Sequence, residues 1–222
     1  FRRVLFRSLT IGHDGRWALD GNAAAIATST GDIRLSAAGD VDLQRGRTVV
    51  YSTGRSDTSD AAVATRTALG LGSEAFTRES GDLEVQAGRD VRGRAVVNVD
   101  GLGNRDYNFA VSPAQWLASL SLDGHSAWYA RPSLLENFQH GLLNLGGGAL
   151  RVSAGRDIRQ LVAGTPDSGH WQDGDTTATR LAGGDLQWQA GRDIVGGLAV
   201  AGGRHLRLQA GRDIAWQAQA DL

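Results

Sequence analysis

Followed as a pattern of apolar and polar positions, the chain repeats one phrase five times. The copies are GDIRLSAAGDV at Gly31–Val41, GDLEVQAGRDV at Gly81–Val91, GALRVSAGRDI at Gly148–Ile158, GDLQWQAGRDI at Gly184–Ile194 and RHLRLQAGRDI at Arg204–Ile214. Within each copy apolar and polar residues alternate, as Leu83, Val85 and Ala87 do against Glu84 and Gln86. That is the period of a strand with one buried face. Each copy therefore predicts one strand and one corner: three apolar side chains point inward and shrink toward Ala, Gly-Arg-Asp turns the chain, and Val or Ile re-enters the interior. The corner residues are Asp40, then Gly88, Arg89 and Asp90, then Gly155, Arg156 and Asp157, then Gly191, Arg192 and Asp193, and finally Gly211, Arg212 and Asp213. Gly suits such a corner because it tolerates φ > 0.

Successive corner aspartates stand 50, 67, 36 and 20 residues apart. Twenty residues are too many for a hairpin and too few for a strand-helix-strand crossover of about 30 residues. They fit one coil of a parallel β-helix, in which each turn carries short strands and advances one strand spacing, about 4.8 Å. The wider intervals are then degenerate coils or loops inserted between coils, which solenoids tolerate because each coil touches only its neighbours. The rival all-β architecture, an antiparallel sandwich or propeller, asks for Asn-Gly turns at hairpin spacing. The chain contains no Asn-Gly.

Two stretches break the pattern. From about 104 to 147 the phrase vanishes and aromatic and helix-forming residues gather. Ser112-Pro113 reads as an N-cap and first helical position leading into Ala114–Leu120. Ser133 caps a second short helix through Leu134, Leu135, Glu136 and Phe138, ended by Gly141. This partly helical excursion is expected to pack against the solenoid. A smaller one, 165–179, is polar and reads as a surface loop holding Trp171. Phe1–Ser8, FRRVLFRS, is unlike anything downstream, and its Leu5-Phe6-Arg7-Ser8 resembles the translated end of a sequencing adapter, so 1–8 is set aside as a non-native scar. That leaves 9–222 as one β-helix segment, expected to be an internal piece of a longer reading frame because the chain has no Met and starts at Phe1.

Composition agrees with the pattern. Gly accounts for 31 of 222 residues, all 23 basic residues are Arg, and only 4 of the 24 acidic residues are Glu. Helix-surface Glu and Lys are thus replaced by turn-forming Gly and Asp. A hydrophobic content of 41% with three Pro argues for a folded chain. The net charge of −1 lacks the basic footprint of a nucleic-acid partner. No apolar run is long enough for a transmembrane helix. Zero Cys excludes disulfides and thiolate chemistry, and fits export through an oxidising compartment.

Candidate chemistry is sparse, and no cofactor site is predicted. Asp173 and Asp175, with His170 nearby, form the one local cluster, in a loop whose composition is that of a turn. His13, His125, His140, His170 and His205 show no zinc spacing. The Gly-Asp words recur at about twenty residues rather than the nine of calcium-binding β-rolls. Gly146-Gly147-Gly148 lacks the Lys-Ser/Thr of a phosphate loop and reads as a flexible re-entry into the next strand. If any segment binds a partner, the aromatic residues and Arg of the first excursion are the best candidates: Trp116, Trp128, Tyr129, Arg131 and Phe138. The plainer reading is that these rings staple the excursion to the solenoid.

The phrase GDLxVxAGRDI at about twenty residues resembles the shaft repeats of filamentous-haemagglutinin-like exoproteins of two-partner secretion in Gram-negative bacteria. YARPSLLENFQHGLLNLGGGALRVSAGRDI, at Tyr129–Ile158, is similar to a segment of the large members. The resemblance implies a right-handed parallel β-helix, export through a partner outer-membrane transporter, and a secreted, cell-surface adhesive filament without catalysis. Its partners would be glycan or protein receptors on host cells or bacteria. Family members also serve as stalks of contact-dependent inhibition toxins, and β-helical enzymes that process polysaccharides share the architecture. No Arg-Gly-Asp occurs, and Gly-Arg-Asp is not a substitute for it. Corner Arg and Asp of stacked coils are expected to alternate as exposed pairs contributing about 0–1 kcal/mol each.

Overall fold

The repeated phrase forms five-residue strands, and these stack residue for residue. The structure, a computed structural model, describes residues 9–10, 23–44, 47–56, 77–94, 140–170 and 179–216. Among them are twenty short strands, β1 to β20 in chain order. The first face of the solenoid holds the repeats: β3 (Ile33–Ala37), β8 (Leu83–Ala87), β11 (Leu150–Ala154), β16 (Leu186–Ala190) and β19 (Leu206–Ala210), all parallel. Ile33 lies beside Leu83, then Leu150, Leu186 and Leu206, and Ala37, Ala87, Ala154, Ala190 and Ala210 form a second row. Register survives a separation of 67 residues between β8 and β11.

The two residues that follow each corner make the second face: β1 (Leu9–Thr10), β4 (Val41–Asp42), β9 (Val91–Arg92), β12 (Ile158–Arg159), β17 (Ile194–Val195) and β20 (Ile214–Ala215). A third face carries β2 (Ala23–Thr28), β5 (Arg47–Ser52), β10 (His140–Asn144), β13 (Val162–Thr165) and β18 (Leu198–Ala201), also parallel. One coil is therefore strand, corner, short strand, two-residue connector and third strand. The run from Leu186 to Leu206 completes it without an insertion. This is the expected all-β parallel β-helix, and all pairing within the three faces is parallel.

Inside, the rows interlock. Leu83, Leu150 and Leu186 from the first face, Val41, Val91, Ile158 and Ile194 from the second, and Val50, Leu142 and Ala163 from the third are fully buried in one continuous cluster. Burial of each large side chain contributes about 1.5–3 kcal/mol. Trp188 is the largest member of the core.

The coils keep their register across the segments inserted in the sequence between them. One spans 95–139, between β9 and β10. A second, which self-comparison does not reveal, spans 57–76 and rises from an antiparallel stem of β6 (Arg55–Ser56) and β7 (Thr77–Arg78). The third spans 171–178 on a stem of β14 (Ser168–His170) and β15 (Thr179–Leu181). Two sequence boundaries shift accordingly. Residues 140–144, assigned from sequence to the excursion, are a strand of the third face, and Thr165 closes β13 rather than opening a loop. No helix occurs among the described residues; the predicted helices Ala114–Leu120 and Leu134–Phe138 lie outside them.

Candidate functional site

The corner ladder is the most highly organised polar feature among the described residues, and its glycines explain it first. The expectation that they serve positive φ is corrected by the structure. Among the described residues the glycines at positive φ are Gly54, Gly141, Gly146, Gly147, Gly196 and Gly197, none of them in a Gly-Arg-Asp corner. What the corners require is close approach. A Cβ at Gly155 would collide with the carbonyl of Gly88, one at Gly191 with that of Gly155, and one at Gly211 with that of Gly191. Backbone lies directly on backbone there, with the Gly191 N–H donating to the Ala154 carbonyl at 2.9 Å and the Arg192 N–H to the Arg156 carbonyl at 2.8 Å.

Asp157 displays the charged part in full. Its Oδ1 accepts the backbone N–H of Asp193 and Nε of Arg192, both at 3.2 Å. Its Oδ2 accepts Nη2 of Arg192 at 3.0 Å and Nη2 of Arg159 at 2.9 Å. Asp90 repeats this with the Asp157 N–H at 3.3 Å, Arg92 at 2.8 Å and Arg156 at 3.5 Å. Asp193 receives the Asp213 N–H at 3.3 Å and both Nε and Nη2 of Arg212. Asp40 receives the Asp90 N–H at 3.2 Å and Arg89 at 3.0 Å. Each carboxylate is thus clamped by the Arg and the Asp N–H of the following corner, so the ladder has a direction along the axis.

The pairs are not simply exposed, as the sequence suggested. Arg192 is 39% exposed, yet the side chains of Asp90 and Asp157 are only 4% and 2% exposed. The carboxylate lies beneath the turn because the next corner stacks over it. Removing the buried partner strands groups that removing the guanidinium does not. Asp157→Ala is expected to cost about 2–3 kcal/mol, because the Asp193 N–H loses its acceptor. Arg212→Ala is expected to cost clearly less, because its guanidinium is open to solvent. Urea midpoints that place these two variants in the opposite order would contradict the ladder.

The same clamps make stability acid-sensitive. Burial pushes the Asp90 and Asp157 carboxyls up, but hydrogen bonds from Arg92 and Arg159 and from the next corner's N–H outweigh it and hold both below the usual carboxylate range. Arg212 does the same for Asp193. Carboxylates whose folded pKa is depressed stabilise the fold above the unfolded value of about 4, and that stabilisation disappears as pH falls through the folded values. The urea midpoint is expected to fall as pH drops below about 4, and Asp157→Asn is expected to flatten that fall; a profile unchanged by the substitution would contradict it.

A second polar cluster sits where the third face returns to the first. Asn144 is fully buried; its Nδ2 donates to the carbonyls of Gly81 at 2.9 Å and Ala149 at 3.1 Å, and its Oδ1 accepts Ser80 Oγ–H at 2.6 Å. Ser80 Oγ in turn accepts the Gly148 N–H at 2.7 Å. Gly146 packs against the backbone of Arg78 and Gly148 against Gly81, so the triple glycine is a fitted seat for the end of the 57–76 excursion rather than a flexible re-entry. One coil on, buried Asp167 accepts the N–H groups of Gly183 and Gly203 and ties the third excursion to the following coil. β7 and β14 touch, so both stems emerge from the same edge of the solenoid. Asn144, Ser80 and Asp167 escape sequence reasoning because each occurs once, outside the repeated phrase.

Few of the other candidates from sequence fall among the described residues. Trp116, Trp128, Tyr129, Arg131 and Phe138 lie outside the described residues, as do Trp171, Asp173, Asp175, His13 and His125. Gly141, predicted to end a helix, lies within β10, where a Cβ would meet the Val162 carbonyl. His205 Nδ1 lies 3.2 Å from Asp185 on the open surface. Among the described residues no three His, Asp or Glu converge as metal ligands, and no helix is long and apolar enough to cross a membrane. No family model, curated protein or solved structure matches the chain.

Proposed function

We propose that the chain is a shaft segment of a secreted bacterial surface filament, structural and adhesive rather than catalytic. On this reading it is a piece of a filamentous-haemagglutinin-like exoprotein exported through a two-partner outer-membrane transporter. The observation that supports it is the corner ladder, which keeps one register through insertions of very different length. Such a scaffold is a rod from which segments hang, and two of their stems share an edge. Loops held on a rigid scaffold are where recognition concentrates. The first excursion, with Trp116, Trp128, Tyr129, Arg131 and Phe138, is assigned the contact with host-cell or bacterial glycans and proteins.

The structure supplies the deletion that tests this. Removing residues 95–140 leaves Gly93 and Arg94 as the connector into Gly141, the same length as Gln160–Leu161 and Gly196–Gly197 in the coils that follow. The variant is expected to keep its β-sheet circular dichroism and a cooperative urea transition while losing binding to cells and glycan arrays. Retained binding would remove the adhesive role from this excursion. Release of sugar from glycan substrates by the purified parent chain would overturn the non-catalytic reading.

A further inference from the structure

The third face of the solenoid is apolar on both sides. Val50, Leu142 and Ala163 belong to the core cluster, so the residues that alternate with them along the same strands point outward. In register across the face, those outward positions are Val49, Gly141, Val162 and Leu198 in one row and Ala27, Tyr51, Leu143, Gly164 and Val200 in the other. Neither row holds a charge. The matching outward row of the first face reads Arg34, Glu84, Arg151, Gln187 and Arg207, the polar composition of a sheet that faces water. Yet the outward side chains of the third face are out of solvent. Leu143 is fully buried, and Val162 and Val49 are 3% and 7% exposed, although none of the three is part of the core cluster. Burial is deepest on β10, the central strand of the face, and gives way to partial exposure at Tyr51, Leu198 and Val200. Apart from one another, the strands of this face have their closest neighbours among the described elements in β16 and β19 of the first face.

We propose that the outward side of the third face is the seat of the segment 95–139 of this same chain. Three observations select that segment. It runs directly into β10, where burial is deepest, whereas 57–76 and 171–178 leave on antiparallel stems beyond the ends of β5 and β13. It is the longest of the three, with 45 residues against 20 and 8. It carries Leu117, Leu120, Leu134 and Leu135, apolar side chains beyond those assigned to partner contact. A parallel sheet buried on both sides then needs no second chain to cover it. The segment sheathes one side of the rod, so a partner that it recognises is met at the third face, away from the corner ladder. The placement itself does not rest on the adhesive reading.

Because the chain has no Cys, single introduced thiols report the seat. Val49→Cys and Leu143→Cys each place a thiol on the outward side, and Val50→Cys places one in the core. In the full chain all three are expected to react with a small disulfide reagent about tenfold or more slowly than in urea. Replacing 95–139 by a Gly-Ser stretch of equal length is expected to release the thiols at 49 and 143 by that factor while the thiol at 50 stays slow, and the 95–140 deletion is expected to do the same. The same replacement of 57–76 is expected to leave all three slow. A thiol at 143 that reacts freely in the full chain, stays slow without 95–139, or is released without 57–76 would overturn the proposal. So would release of the thiol at 50 together with the other two in both 95–139 variants, which would make the segment a part of the core and not a cover on its outer side.

Discussion

Gly191→Ala is expected to destabilise the chain by about 3 kcal/mol or more, from the addition of a single methyl group. The new Cβ would meet the carbonyl oxygen of Gly155, a backbone atom that cannot rotate away as a side chain would. Relief requires the two coils to separate, and separation stretches the Gly191-to-Ala154 and Arg192-to-Arg156 backbone hydrogen bonds on either side of the clash. Arg192→Ala, one residue along, removes a bidentate guanidinium and is still expected to cost about 1 kcal/mol or less, because that group is partly solvated and Asp157 keeps Arg159 and the Asp193 N–H. Urea denaturation of the two variants side by side is the check. If the arginine variant proved the less stable, the corner would be held by charge and not by backbone stacking.

Trp188→Ala is expected to cost about 3–5 kcal/mol, the range for emptying a large aromatic from a packed core. Trp188 is fully buried at the position that Leu35, Val85, Val152 and Leu208 hold in the other coils, and its ring stacks on Trp216 with centroids 6.4 Å apart and planes 11° from parallel. Its indole Nε1 has no acceptor among the described residues. Trp188→Leu is therefore expected to cost much less than Trp188→Ala, since it removes an unsatisfied donor and substitutes the side chain found elsewhere in the row. Gln187→Ala, on the outward side of the same strand, is expected to fall within about 0.5 kcal/mol of the parent. Thermal midpoints of the three variants decide the order; equal losses at Trp188 and Gln187 would mean that the strand's buried face is misassigned.

Two of the three faces were legible from the repeated phrase. Alternation at Leu83, Val85 and Ala87 marks the first face, and the Val or Ile after each corner marks the second. The third face was not legible, for a physical reason. Val162–Thr165 is buried at every position, so its strand has no polar alternation, and AAAIAT, RTVVYS, HGLLN, VAGT and LAVA share no phrase for self-comparison to find. The corner glycines were placed correctly for the wrong reason, because a collision between coils leaves no trace in the local torsions from which a turn is inferred. Burial of Asp90 and Asp157 is likewise a property of stacking. A lone Gly-Arg-Asp is an exposed turn, and it becomes a buried carboxylate only when another such turn closes over it.

Residue-for-residue register across the longest interval between corners is the claim on which the ladder, the core rows and the 95–140 deletion all depend. The chain has no Cys, so an introduced pair has no competitors. Gln86 and Ser153 are in-register partners on the outward side of the first face, and neighbouring parallel strands lie about 4.8 Å apart, within the Cα range of a disulfide. Mild oxidation of Gln86→Cys/Ser153→Cys is expected to close the bond in nearly all molecules, while Gln86→Cys/Arg151→Cys, displaced by two residues, stays reduced. Closure of the displaced pair in preference to the in-register one, or of neither, would contradict the stacked β-helix.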